Sequence, residues 1–161
     1  MTVNLIILVM ITVQRLGELW MSNRNTRRLR ASGAHEVGAS HYPFVIIVHS
    51  LWLAALWWNA PVQPINWFWL GIYVLFELAR IWMFISLGQR WTTRIIVLPG
   101  APLIRRGPYR YVDHPNYLIV IGEIASLPLA FGLWRIALIF SALNAAVLAV
   151  RVRQEDRALG R

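Results

Sequence analysis

Five apolar stretches, each near the length a helix needs to cross a bilayer, leave this chain little else to fold into. Spanning the hydrocarbon takes roughly 20 predominantly apolar residues. Val3 to Met21, Pro43 to Trp58, Trp67 to Leu87, Tyr117 to Phe131 and Trp134 to Val150 come close to that length. Backbone groups in hydrocarbon have no water to bond with, so such stretches are helices. The reading is an all-α integral membrane protein with about five transmembrane helices, in one domain covering residues 1–161. Residues 1–88 supply three N-terminal spans, and residues 89–161 supply a loop, a C-terminal helical hairpin and a tail. Pro128 predicts a kink or early stop in the short fourth span. Gly132 and Trp134 then predict a tight turn into the fifth. The first span has no Arg before Arg15 and no small-residue cleavage pattern, so it reads as retained rather than as a signal peptide.

Charge fixes an orientation. All 16 basic residues are Arg, and the formal net charge is +9. Thirteen of the 16 fall after span one, between spans three and four, or in the tail, which five spans put on one side. The opposite connections, Asn59 to Asn66 and Phe131 to Trp134, are uncharged. The positive-inside bias therefore predicts an outside N-terminus and a cytosolic C-terminus. This placement accounts for the basicity through anionic headgroups, so nucleic acid is not expected as a partner. Trp20, Trp57, Trp58, Trp67, Trp91 and Trp134 near span ends fit interfacial aromatic belts. Arg without Lys points to a GC-rich genome and a bacterial inner membrane. Cysteine is absent, which excludes disulfides, thiolate chemistry and iron–sulfur clusters.

Charges inside spans are costly unless paired or hydrated. Glu77 and Arg80, three apart in span three, are expected to pair, as are Arg15 and Glu18 in span one. Glu123 must find a partner across helices or line a pocket. His49 is expected to make an interhelical hydrogen bond. His35, Glu36 and His41 in the first loop match no helical metal motif, and no metal is expected.

Two polar clusters bracket the last apolar hairpin: Gly107-Pro-Tyr-Arg-Tyr-Val-Asp-His-Pro-Asn-Tyr117 before it and Arg151-Val-Arg-Gln-Glu-Asp156 after it. A hairpin returns the chain to the face it left, so the clusters should meet. Pro108 and Pro115 restrict the backbone around Tyr109, Tyr111 and His114. Arg151 and Glu155 share a helix face and could simply form an ion pair there. The breakers between Gly88 and Asn116 make that region a long loop, a length that favours binding. Together His114, Tyr117, Arg151 and Glu155 could surround one small polar ligand: the carboxylate binds an ammonium or hydroxyls, and the guanidinium binds or orients an anion.

The segments GPYRYVDHPNY and RVRQEDRAL, with an apolar hairpin between them, resemble the isoprenylcysteine carboxyl methyltransferase family, whose usual pattern is GPYxxxRHPxY followed by RxxxEExxL. The resemblance covers about the last 55 residues. His41-Tyr-Pro43 and the chain length are similar to those of small bacterial members, some of them akin to O-methyltransferases of long-chain phenolic lipids. The resemblance implies S-adenosylmethionine held at the cytosolic face by Tyr109, His114, Pro115, Tyr117 and Glu155, with Arg151 beside the transferred methyl. It also implies a lipophilic acceptor reaching the site from the bilayer.

Two departures stand out: Asp113 replaces the Arg before His-Pro, and Asp156 replaces the second tail Glu. Asp113 disfavours a carboxylate acceptor and suits a hydroxyl, for which it could act as general base. Methylation of a prenylated thiol's carboxylate or of a lipid amine is the alternative within the family. A small transporter, motivated by the charges within the spans, or a lipid-binding scaffold is the alternative outside it.

Overall fold

The computed structural model describes residues 1–160. Arg161, counted above with the basic tail, lies outside them. Five helices follow one another: α1 (Thr2–Ala31), α2 (Tyr42–Asn59), α3 (Trp67–Leu87), α4 (Pro115–Ala130) and α5 (Trp134–Leu159). Each boundary has a local cause. Asn66 caps α3 by accepting from the Phe68 and Trp69 amides at 3.1 and 3.3 Å. Pro43 and Pro115 occupy first-turn positions of α2 and α4, where no amide donor is needed. Gly160 ends α5 in the left-handed conformation at φ 69°.

Four helices are long and apolar enough to cross a membrane; α4, with 16 residues, is shorter. That length gives about 24 Å of rise, against about 30 Å of hydrocarbon. α4 stops two residues after Pro128, the early stop that its sequence anticipated. Its shortness is tolerated because it is the most enclosed helix, packed between α3 and α5, with Ile119, Glu123, Ile124, Leu127 and Ala130 all buried. Gly122 permits the close approach to α3, for a Cβ there would overlap the Phe76 ring. The main apolar core joins Leu8 and Ile11 of α1, Trp52 and Leu56 of α2, Tyr73 of α3, and Ile124, Leu127 and Phe131. Large apolar side chains such as Ile6, Leu51, Leu75, Ile85 and Leu138 face outward, as a lipid-exposed surface requires.

The two ends of the bundle differ. At one, the Asn4 amide donates to the Ala60 and Gln63 carbonyls, and the Asn66 amide donates to the Ala130 carbonyl at 2.7 Å. The other end gathers the Arg-rich segments. There a small two-stranded sheet is added to the all-α bundle: β1 (His35–Val37) pairs antiparallel with β2 (Ile95–Val97), His35 opposite Val97 and Val37 opposite Ile95. Glu36 of β1 binds both Arg30 and Arg94, the latter at 2.7 Å, and Arg94 stacks 4.1 Å from the Tyr42 ring centroid. Thr93 and Trp91 are tied to α1 through Ser22 and Asn25 at 2.8 Å each. The long loop is thus a strap fixed to the N-terminal half. Trp91, expected in an aromatic belt, is instead buried against Met83 and Ile119 at the base of that strap.

The charges within the spans form one network. Glu123, fully buried, receives Arg15 at 2.6 Å and Arg80, whose Nε lies 2.6 Å from Oε1. Glu18 pairs with Arg15 at 2.9 Å, as expected, and lies 3.5 Å from Arg80. The expected Glu77–Arg80 pair does not form. Arg80 turns across to α4 and α1, where two carboxylates converge, and Glu77 accepts from Gln14 at 2.6 Å. His49 bonds within its own helix, its Nδ1 donating to the Val45 carbonyl at 2.8 Å, rather than between helices.

Removing one member of a buried ion cluster leaves its partners uncompensated, at a cost of about 3 kcal/mol or more. Glu123→Ala should therefore lower unfolding stability in detergent by about that amount, while Glu77→Gln, which keeps a partner for Gln14, should cost far less. The loop between α1 and α2 gives a second test. Gly38 has φ 66°, and a Cβ there would overlap Gln154 and His41. Gly38→Ala should loosen the β1 turn from α5, read as faster proteolysis and hydrogen exchange across residues 35–41, with the helical bundle unchanged.

Candidate active site

The α4–α5 hairpin turns through Phe131–Leu133 with Gly132 at φ 68°, and it brings both polar clusters to the Arg-rich end. α5 continues past its apolar part to Leu159, so Arg151, Glu155 and Asp156 stand beside the first turn of α4. On the other flank Gly107, at φ 60°, lets the GPY turn sit against Ser86 at the end of α3. Arg106 reinforces that docking by donating to the Ser86 carbonyl at 2.8 Å.

Tyr117 is the hub. It is buried, its hydroxyl donates to Glu155, and Arg151 Nε approaches that hydroxyl at 3.5 Å. His114 stacks on the Tyr117 ring with centroids 5.3 Å apart and 19° between planes. Its Nε2 lies 2.9 Å from Asp156 Oδ1 and its Nδ1 3.8 Å from Glu155 Oε2. The Arg151 guanidinium lies 5.7 Å from the centroid of the Tyr117 ring. The simple Arg151–Glu155 ion pair is not what joins the tail. Among the described residues, Glu155 is engaged by Tyr117 and His114 instead.

These groups wall a cavity of about 450 Å³, a size suited to a nucleoside-bearing ligand. Tyr109, Asp113, His114, Tyr117, Arg151 and Glu155 all line it. Pro115 does not; it is buried in the first turn of α4, where it sets the direction of the helix that carries Tyr117. Sequence reasoning missed the opposite wall, which runs from Arg90 through β2 to Ile104. Arg90 holds that wall by donating to the Pro102 carbonyl at 2.7 Å. The length of the loop was its one sequence signal. Asp156, noticed only as a departure, proves to be the partner of the imidazole.

The donor set fits an adenosyl sulfonium compound. The Glu155 carboxylate can accept from an ammonium or hydroxyls, the aromatic and imidazole faces of Tyr117 and His114 suit a planar base, and Ile95, Ile96 and Val97 of β2 add apolar lining.

Comparison with known proteins agrees. Residues 69–161, more than half of the chain, match the isoprenylcysteine carboxyl methyltransferase family. The uncharacterized protein YpbQ of Bacillus subtilis is 38% identical over 160 residues, covering 96% of this chain and 95% of that one. An uncharacterized protein of Haemophilus influenzae is 30% identical over 151 residues, covering 90% of this chain and 88% of its own. No solved structure matches. A helical hairpin flanked by the GPY–HP segment and the Arg–Glu tail, within a chain of apolar spans, is thus what the match covers, and the protein belongs to the isoprenylcysteine carboxyl methyltransferase family of membrane methyltransferases.

Proposed function

We propose that the protein transfers a methyl group from S-adenosylmethionine to the hydroxyl of a lipophilic acceptor, best a phenolic lipid, at the cytoplasmic face of a bacterial inner membrane. The observation that carries the reading is the convergence of His114, Tyr117, Arg151 and Glu155 on one cavity. The donor, when bound, supplies an electrophilic methyl on a sulfonium. Glu155, buttressed by Tyr117, would hold its ammonium or ribose hydroxyls, and the His114–Tyr117 stack would seat its base. His114 is kept in place by Asp156.

Arg151 lines the cavity, where its guanidinium would stabilise an anionic oxygen. Asp113 lines the same space and would take the proton from the acceptor hydroxyl. Alignment and exclusion of water would account for most of the rate.

The family description favours a second acceptor, the carboxylate of a prenylated thiol. Asp113 argues against it, because a carboxylate beside the acceptor's own repels it. Transport is less consistent with the fold: of the residues that motivated it, Glu77, Arg80, His49 and Glu123, Arg80 and Glu123 bind each other inside the core.

Incubation with methyl-labelled S-adenosylmethionine and a total lipid extract should label a hydroxylated lipid as an ether, and labelling of a carboxyl ester would overturn the assignment of the acceptor. Glu155→Ala should weaken binding of the donor about tenfold or more, a loss of about 1.4 kcal/mol. Saturable binding of wild-type strength in that variant would remove Glu155 from the site. Asp113→Asn should leave donor binding intact and depress turnover, most near neutral pH where a phenol still carries its proton and a carboxylate can accept it, and least at alkaline pH; unchanged turnover across pH would eliminate Asp113 as that base.

A further inference from the structure

A second concavity, about 300 Å³, opens where the end of α1 beyond the apolar span meets the segment leading into β2. Asn23, Thr26, Arg27 and Arg30 line it from α1, and Arg94 lines it from the strap. The α1 positions are spaced i, i+3, i+4, i+7, so they form one stripe on the helix. Three of the lining residues, Arg27, Arg30 and Arg94, are arginines. Facing them from β1, Glu36 bridges Arg30 and Arg94 and offsets one charge, so two positive charges remain.

A separate observation points to a ligand. Thr26 is only 6% exposed, and its hydroxyl has no hydrogen-bond partner among the described residues. A buried hydroxyl is rarely left so, because burial without a bond carries the full cost of desolvation. The level of the concavity along the helix is informative too. Trp20 is exposed and lies under the Arg24 guanidinium at 5.6 Å, as at a membrane interface. Thr26 lies six residues beyond it, about 9 Å along the helix, at the depth of the headgroups.

We propose that this concavity is a phosphate-binding site whose ligand is the headgroup phosphate of an anionic membrane lipid. Guanidinium forks from Arg27 and Arg94 match phosphate oxygens in pairs, and the Thr26 hydroxyl donates to a further oxygen. The inference does not rest on the methyl-transfer reading. It does bear on the main cavity, since Arg94 lines both spaces: a bound phosphate would clamp the strap to α1 and brace the cavity wall.

The test is native mass spectrometry of full-length protein released from nanodiscs of phosphatidylglycerol and phosphatidylcholine in equal parts. Wild-type protein should retain phosphatidylglycerol selectively. Arg27→Gln should reduce that retention about fivefold. Thr26→Val, which changes no charge, should reduce it as well. Arg24→Gln removes the same charge from a neighbouring face and should leave retention unchanged. Equal losses in Arg24→Gln and Arg27→Gln, or full retention in Thr26→Val, would replace the site with a diffuse basic surface and overturn the proposal. Saturable binding of inorganic phosphate in detergent without enrichment of phosphatidylglycerol would overturn the lipid as the source of the phosphate.

Discussion

Inside hydrocarbon no water competes for a guanidinium, so Arg15 and Arg80 must be met by carboxylates of the protein itself. Glu123 meets both, and the rest of the architecture follows from that contact. It draws α1, α3 and α4 to a common point and fixes the rotation and depth of α4, the one helix too short to position itself by spanning. Tyr117 lies six residues away on the same helix, about 9 Å toward the Arg-rich end. The placement of the hub of the cavity is therefore linked to a charge cluster whose members are not among the residues that line it.

The second determinant is the strap. The cavity has one wall of helices and one of loop, and a loop this long needs ties if it is to hold shape. They come from the N-terminal half: Ser22 and Asn25 on α1, Tyr42 on α2 and Glu36 on β1 hold residues 91–97 through hydrogen bonds, stacking and an ion pair. The N-terminal half of the chain thus shapes the cavity by bracing the segment that walls it, while the hairpin and its flanks supply polar side chains that line it.

Much of this was legible beforehand, for identifiable reasons. The spans could be read because hydrocarbon thickness translates directly into length of apolar helix. The meeting of His114 and Tyr117 with Arg151 and Glu155 could be read because a hairpin with a minimal turn leaves its ends no other arrangement. The pairing of Arg80 could not. Helical spacing offers Glu77 as a neighbour, but which carboxylate wins depends on what α1 and α4 bring across the interface, and that contact is separated by 43 residues in sequence. Three-residue strands such as His35–Val37 carry too little alternation to announce themselves, and only pairing with Ile95–Val97 defines them.

Sequence alone determined that this chain is a set of apolar helices with 13 of its 16 arginines gathered between and after them, and that two motif-bearing segments flank the final hairpin. Tertiary structure decided how buried charges choose partners, which face of α4 turns inward, how the loop becomes a wall, and that Tyr117, rather than a direct Arg151–Glu155 pair, organises the tail. The division has a physical origin. Partition into a bilayer is set by summed local hydrophobicity, which any window of the chain reports. Ion pairing and cavity shape are set by contacts across helices, whose energies exist only once the helices are side by side.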